Sequence, residues 1–180
     1  MNSPELPASV LAHDHSEIDT LTGELLAALE KGDKLKVFAR LDLLWARLAV
    51  HIRAEHLCLF PSIMEADFTI RSDGPQYQEV QNAIDQLRLD HEFFMRELGT
   101  NVNAIRKQEN LSTREVFKQF REVRRSVFEI QSRLVKHNQL EENHVYKWVD
   151  LLLGEAERSA LLAGIKRELE NAPPRFRSQL

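Results

Sequence analysis

Residues 116–148 read VFKQFREVRRSVFEIQSRLVKHNQLEENHVYKW, and alternating steps of four and three along them pick out Val116, Phe120, Val123, Val127, Ile130, Leu134, His137, Glu141, His144 and Trp148. A stripe with that spacing is the seam by which one helix packs against others. It begins apolar and turns polar partway along. Three more stretches carry such a seam: Leu11, His15, Ile18, Thr22, Leu25 and Leu29; Val37, Leu41, Leu44, Leu48, His51, Glu55, Cys58 and Ser62; and Val80, Ile84, Leu87, His91, Phe94, Leu98, Val102 and Ile105. Each contains a histidine. Five of the seven histidines fall on these seams. Blind scatter would put about one there, and the intermediate burial preference of histidine does not close the gap.

Start and stop signals divide the chain into four long helical segments and a short one. The first, about 7–31, ends at Gly32-Asp33, glycine serving as the left-handed residue past the helix and aspartate as the next N-cap. The second covers about 34–66. Ser72-Asp73-Gly74-Pro75 breaks the chain, and Pro75 opens a third helix extending to about Gln108. Ser112-Thr113-Arg114-Glu115 has the form of a capping box and starts a fourth helix that runs to about Leu153 and is stopped by Gly154. Glu155 to Asn171 reads as a shorter fifth helix closed by Pro173-Pro174, with residues 172–180 expected as a flexible tail. The expected fold is all-α: an antiparallel up-down-up-down four-helix bundle with a short fifth C-terminal helix, in one domain over residues 1–171.

Composition narrows the function. A chain of 180 residues, 43% hydrophobic, suits one domain with a sizeable core, and six glycines and six prolines argue against an all-β sandwich or barrel. With 24 basic and 28 acidic residues the net charge is −4, so no basic field advertises a nucleic acid and none is expected as a partner. A single cysteine, Cys58, excludes an internal disulfide and any multi-cysteine metal site within one chain, and fits a reducing compartment. The start, Met1-Asn2-Ser3-Pro4-Glu5, has neither a basic nor an apolar export region, and no stretch approaches the roughly 18 apolar residues that span a bilayer. The expected location is cytoplasmic, with no membrane partner.

The chain also repeats itself. Arg47-Leu48-x-x-His51-x-x-x-Glu55 matches Arg133-Leu134-x-x-His137-x-x-x-Glu141, and Leu11-x-x-Asp14-His15 matches Leu87-x-x-Asp90-His91. Two helical hairpins of one design are implied. The midpoint of His15 and His51 is residue 33, in the Gly32-Asp33 turn, so the two sit at one height. The midpoint of His91 and His137 is residue 114, about one helical turn from the expected bend near Asn110, which predicts a looser second hairpin.

Folding both hairpins together gathers His15, His51, Glu55, His91, His137 and Glu141 into one buried layer. Left without partners such a layer is costly, several kcal/mol per buried carboxylate and roughly 1 to 3 kcal/mol per unsatisfied imidazole. The seams hold no Lys or Arg to neutralise it. Metal cations would satisfy both charges and lone pairs. Two His-x-x-x-Glu pairs, each on one helix face, plus two single histidines make four nitrogens and two carboxylates, too many for one tetrahedral zinc and suited to two ions bridged by the carboxylates. Imidazole and carboxylate without thiolate fit two Fe ions, with manganese or zinc as alternatives, and leave positions for a solvent-derived bridge and a small exogenous ligand.

The ordered set His15, His51-x-x-x-Glu55, His91, His137-x-x-x-Glu141 resembles the hemerythrin-like (HHE, cation-binding) domain family over about residues 11–148. The resemblance implies an antiparallel four-helix bundle holding a non-haem di-iron centre, with His15, His51, His91 and His137 as terminal ligands and Glu55 and Glu141 as bridges. Oxygen-carrying hemerythrins have a fifth histidine four residues from another on the third helix; here those positions are Leu87 and Met95. The pattern is more similar to relatives linked to nitric oxide or peroxide responses and to iron–sulfur repair. The expectation is a protein whose di-iron site binds or reacts with oxygen, peroxide or nitric oxide. The partner would be a small diatomic or peroxide ligand, alongside a protein partner or a second copy of the chain.

Two other classes compete. A ferritin-like di-iron oxidase wants Glu-x-x-His on two helices; Glu141-x-x-His144 supplies one, but its counterpart is Glu55-x-x-Cys58. A metal-responsive interaction module would dock a partner through the fifth helix and the tail Arg175-Phe176-Arg177. Elsewhere the plain reading is preferred. His144 and Cys58 fill core, with lining of the metal layer as the alternative, and Glu142 is an alternative bridge to Glu141. His13 and His56 are surface histidines, Asp14 and Asp90 a solvated acidic face rather than partners of an imidazole, Phe93, Phe94, Phe117, Phe120 and Phe128 core, and Arg121, Arg124 and Arg125 a solvated face.

Overall fold

A computed structural model describes residues 5–69, 74–107 and 112–176. The helices are α1 (Pro7–Lys31), α2 (Lys34–Ala54), α3 (Phe60–Met64), α4 (Tyr77–Arg106), α5 (Thr113–Leu140), α6 (Tyr146–Leu152) and α7 (Glu155–Glu170), with no strand among the described residues. Local chemistry sets the ends. Gly32 adopts φ 69°, and its N–H and that of Asp33 donate to Leu29 and Ala28 carbonyls at 3.3 and 3.2 Å. Asp33 Oδ1 then accepts from Lys36 N at 3.1 Å, so one tight turn closes α1 and opens α2. At α5 the capping box forms as expected, Ser112 N donating to Glu115 Oε2 at 2.8 Å.

The helix expected over 34–66 is interrupted. A π-helical turn, Glu55–Leu59, separates α2 from α3, and a second, Glu141–Val145, separates α5 from α6. In each the N–H six positions into the segment reaches back five residues, Phe60 to the Glu55 carbonyl and Tyr146 to the Glu141 carbonyl. One extra residue per turn rotates everything downstream, so the seam continues through Leu59, Phe60 and Ile63 instead of Cys58 and Ser62, and through Val145, Tyr146 and Val149 instead of His144. His144 is exposed, which corrects its placement on the seam. Cys58, half-buried, faces α7 instead; a β-carbon on Gly164 would lie 3.1 Å from its Sγ. The break at Ser72-Asp73, the bend near Asn110 and Arg177 lie outside the described residues, and the third helix begins at Tyr77, two residues after Pro75.

Helix α1 packs on α2, α2 on α4, α4 on α5 and α5 on α1. Two large apolar clusters result among the described residues. One holds Ile18, Leu25, Leu44, Leu48, Phe94, Leu98, Val123, Val127 and Leu134; the other holds Leu11, Phe60, Ile84, Leu87, Val145, Val149 and, from α7, Leu161 and Ile165. Along α1 and α4 the chain passes from the second cluster to the first, and from α2 through its π turn into α3, and from α5 through its π turn into α6, it passes from the first to the second. On every one of the four the crossing falls at a polar residue.

Arg53 fastens α7, donating through Nε to Glu168 Oε2 at 2.9 Å and through Nη2 to the Glu168 and Asn171 carbonyls, both at 2.7 Å. Beyond it Ala172 and Phe176 are buried, Phe176 packing with Leu43 and Ala46, so the expected loose tail is in place up to residue 176. Phe117 and Phe128, expected in the core, are 60% and 47% exposed; Phe93, Phe94 and Phe120 are buried. Phe128 lies under the Arg124 guanidinium, which covers its ring from outside. Among the described residues no helix is long and apolar enough to cross a membrane.

Candidate metal centre

Between the apolar clusters lie His15 on α1, His51 at the end of α2, His91 on α4, His137 at the end of α5, and Glu55 and Glu141, which open the two π turns. All six are buried, the two glutamates completely. One group brings ligand atoms of His15, His51, Glu55 and Glu141 within 4.8 Å of one another, and a second does the same for Glu55, His91, His137 and Glu141. The glutamates belong to both. His15 and His51 have ring centroids 4.8 Å apart, and His91 and His137 4.7 Å, so the second pair meets as closely as the first despite its offset midpoint.

Each imidazole is held by Nδ1 and turns Nε2 inward. His51 Nδ1 lies 2.8 Å from Asp14 Oδ2, and His137 Nδ1 lies 3.4 Å from Asp90 Oδ2. His15 Nδ1 meets Glu142 Oε1 at 3.0 Å, and His91 Nδ1 meets His56 Nε2 at 2.9 Å. A carboxylate only accepts, so Nδ1 of those three rings donates, leaving the Nε2 lone pair of the neutral ring facing the layer. The Nε2 atoms stand against the glutamates: His15 to Glu141 Oε2 at 3.0 Å, His51 to Glu55 Oε1 at 3.2 Å, His91 to Glu55 Oε2 at 3.2 Å and His137 to Glu141 Oε1 at 3.3 Å.

Asp14 and Asp90 are therefore not a solvated face. They are 1% and 6% exposed, and each is gripped by an arginine, Arg47 on Asp14 and Arg133 Nε on Asp90 Oδ1 at 2.7 Å. The internal repeat held the signal: Arg47 with Asp14 and Arg133 with Asp90 recur at matched positions because each pair orients one histidine. His56, expected at the surface, is half-buried and orients His91. Its counterpart one residue past the other glutamate is Glu142, which orients His15 and is not placed as a bridge. His13 is exposed, as expected.

Aromatic rings close the layer, and they differ. Tyr146 stacks on His15 with centroids 5.9 Å apart, and Phe60 stacks on His91 at 6.0 Å. Both stand five residues after a glutamate. An α-helical register hides that relation, and only the extra residue of each π turn brings these rings inward. Tyr146 Oη lies 3.2 Å from His15 Nε2 and donates to Glu141 Oε2 at 3.3 Å.

Burial disfavours charge on these groups, yet they charge each other. His137 is lifted from 6.5 to about 9 because Glu141 and Asp90 outweigh its desolvation. His51 is raised in the same way by Glu55 and Asp14, and Glu55 is held well below its ordinary value by His51 and His91. Burial and Glu141 push the Tyr146 hydroxyl upward. Satisfaction is nonetheless incomplete. Among the described residues seven buried side-chain polar atoms lack a hydrogen bond, and four of them meet here: both oxygens of Glu55, Oε1 of Glu141 and Nε2 of His51. Carboxylate oxygens short of hydrogen bonds facing imidazole nitrogens, with no thiolate, are a donor set that could hold a di- or trivalent cation once those nitrogens give up their protons.

No family model, curated protein or solved structure matches the chain.

Proposed function

We propose that the chain is a hemerythrin-like protein: an antiparallel up-down-up-down four-helix bundle that holds two metal ions, iron foremost, in its polar layer. The alternating order in which α1, α2, α4 and α5 meet the two apolar clusters supports the bundle. The observation that carries the metal reading is the pair of four-residue groups that share both Glu55 and Glu141, whose oxygens are buried and short of hydrogen bonds. His15 and His51 would hold one ion, His91 and His137 the other, and the two glutamates would bridge them.

Bound iron supplies electrons and open coordination positions for a small ligand, so the reading is a centre that binds or reacts with oxygen, peroxide or nitric oxide. The protein's own part is to orient. Asp14, Asp90, Glu142 and His56 fix the ring angles, while the flanking apolar clusters exclude bulk water. Sensing, detoxification and handling of iron centres all begin from this ligand set.

Metal analysis of protein expressed with iron, followed by anaerobic reduction and stopped-flow spectra with oxygen and with nitric oxide, tests this. Two irons per chain are expected; a single zinc or no metal ends the proposal. A reversible change with oxygen indicates carriage, and rapid irreversible oxidation indicates redox chemistry. A regulatory role has one observation in its favour: α7 packs on the π turn of Glu55–Leu59, tying a surface helix to a glutamate of the layer. A silent spectrum from iron-loaded protein selects that role. The ferritin-like alternative loses its one motif, since His144 is exposed.

A further inference from the structure

The two halves of the polar layer carry the same inward ligands and differ in what holds one ring of each, His56 on His91 and Glu142 on His15, and in the ring that closes each. Beside His91 and Glu55 that ring is Phe60, which carries no donor atom; beside His15 and Glu141 it is Tyr146, whose hydroxyl points at both. The oxygen does not merely lie nearby. His15 Nε2, Glu141 Oε2 and Tyr146 Oη form a triangle with sides of 3.0, 3.2 and 3.3 Å. Neighbouring ligands of an octahedral ion are separated by the bond length times the square root of two, about 2.8–3.1 Å for bonds of about 2.0–2.2 Å. The triangle thus has nearly the size of one octahedral face. Tyr146 is also 4% exposed, so its oxygen has no ready recourse to bulk water.

We infer that Tyr146 is a ligand of the ion held by His15, His51, Glu55 and Glu141, which makes the two metal positions chemically different. This rests on the dinuclear reading above and adds a ligand to it. On binding a ferric ion the phenol O–H bond is exchanged for an O–Fe bond and the proton leaves to solvent; neither the ring nor the iron changes oxidation state. The position beside Phe60 has no such ligand.

Tyrosinate bound to ferric iron announces itself by a visible charge-transfer band and by ring modes enhanced in the resonance Raman spectrum. The chain has two tyrosines, and Tyr77, 48% exposed and outside the layer, serves as the control. The full chain is loaded with ferric iron, its iron is counted, and both spectra are recorded for the wild type, Tyr146→Phe and Tyr77→Phe. Two irons per chain with a phenolate signature that Tyr146→Phe abolishes and Tyr77→Phe keeps is the expected result. Ring-deuterated tyrosine in the Tyr77→Phe protein labels Tyr146 alone, and a shift of the Raman modes decides the matter even if Tyr146→Phe fails to hold its metal. Two irons without the signature, or a signature that survives in Tyr146→Phe, overturns this inference and leaves the dinuclear centre standing. A folded protein that takes up no iron overturns both.

Discussion

At the scale of single residues, the proposed centre would depend on groups outside its ligand set. Asp14 and Asp90 accept from His51 and His137 while Arg47 and Arg133 hold them in place. Such partners set ring orientation and ligand basicity, and losing one typically weakens metal binding about 10–100-fold. Asp14→Asn is expected to fall in that range in a chelator-competition titration, with helical content unchanged. Glu55→Ala and His137→Ala should abolish the rise in melting temperature on adding metal, whereas His13→Ala, altering an exposed ring beside Glu17, should not. The six inward residues were legible from sequence because apolar neighbours set the register of each seam. For Asp14 and Asp90 the seam gave no answer and the internal repeat held the one signal, since a side chain one residue off the seam can turn toward it or toward water, and the choice is made by the arginine of another helix.

At the scale of elements, the π turns decide what faces the layer. Each adds one residue directly after a glutamate, sending Cys58 to α7 and His144 to solvent and bringing Phe60 and Tyr146 inward. Such turns concentrate at functional sites. The spacing rule that found the seams assumes an unbroken 3.6-residue period, and it misplaced the residues after Glu55 and Glu141 for that reason. The turn between α1 and α2 needed no such correction. Gly32 sits at φ 69°, where a β-carbon costs roughly 1–2 kcal/mol, so Gly32→Ala should destabilise the protein by about that amount in urea denaturation without changing metal stoichiometry.

For the molecule as a whole, folding stability and the proposed metal binding draw on one set of protons. In the metal-free protein the pKa of His137 is raised from 6.5 to about 9, and that of His51 moves the same way. A raised base contributes its full stability below its unfolded value and loses it as pH climbs through the folded one. Glu55, lowered from 4.5, contributes above that value and fails as pH falls. The metal-free chain should therefore unfold more easily at pH 9 than at pH 6 in denaturant titrations. Ions must displace those protons, so the stability that metal adds should grow as pH rises from 5 to 7. Parallel curves with and without metal would show that the layer does not bind it.

By itself the sequence determined the all-helical class, the ends at Gly32-Asp33 and Ser112 and the six residues that share a layer, because apolar periodicity and helix-end chemistry act within one segment. Tertiary structure alone decided which carboxylate or imidazole holds each ring, how the seam continues past the two glutamates, and that a phenol faces one half of the layer and a phenyl ring the other. Those outcomes turn on a one-residue change in helical phase and on contacts between different helices, and neither leaves a mark on a period read along a single strand of sequence.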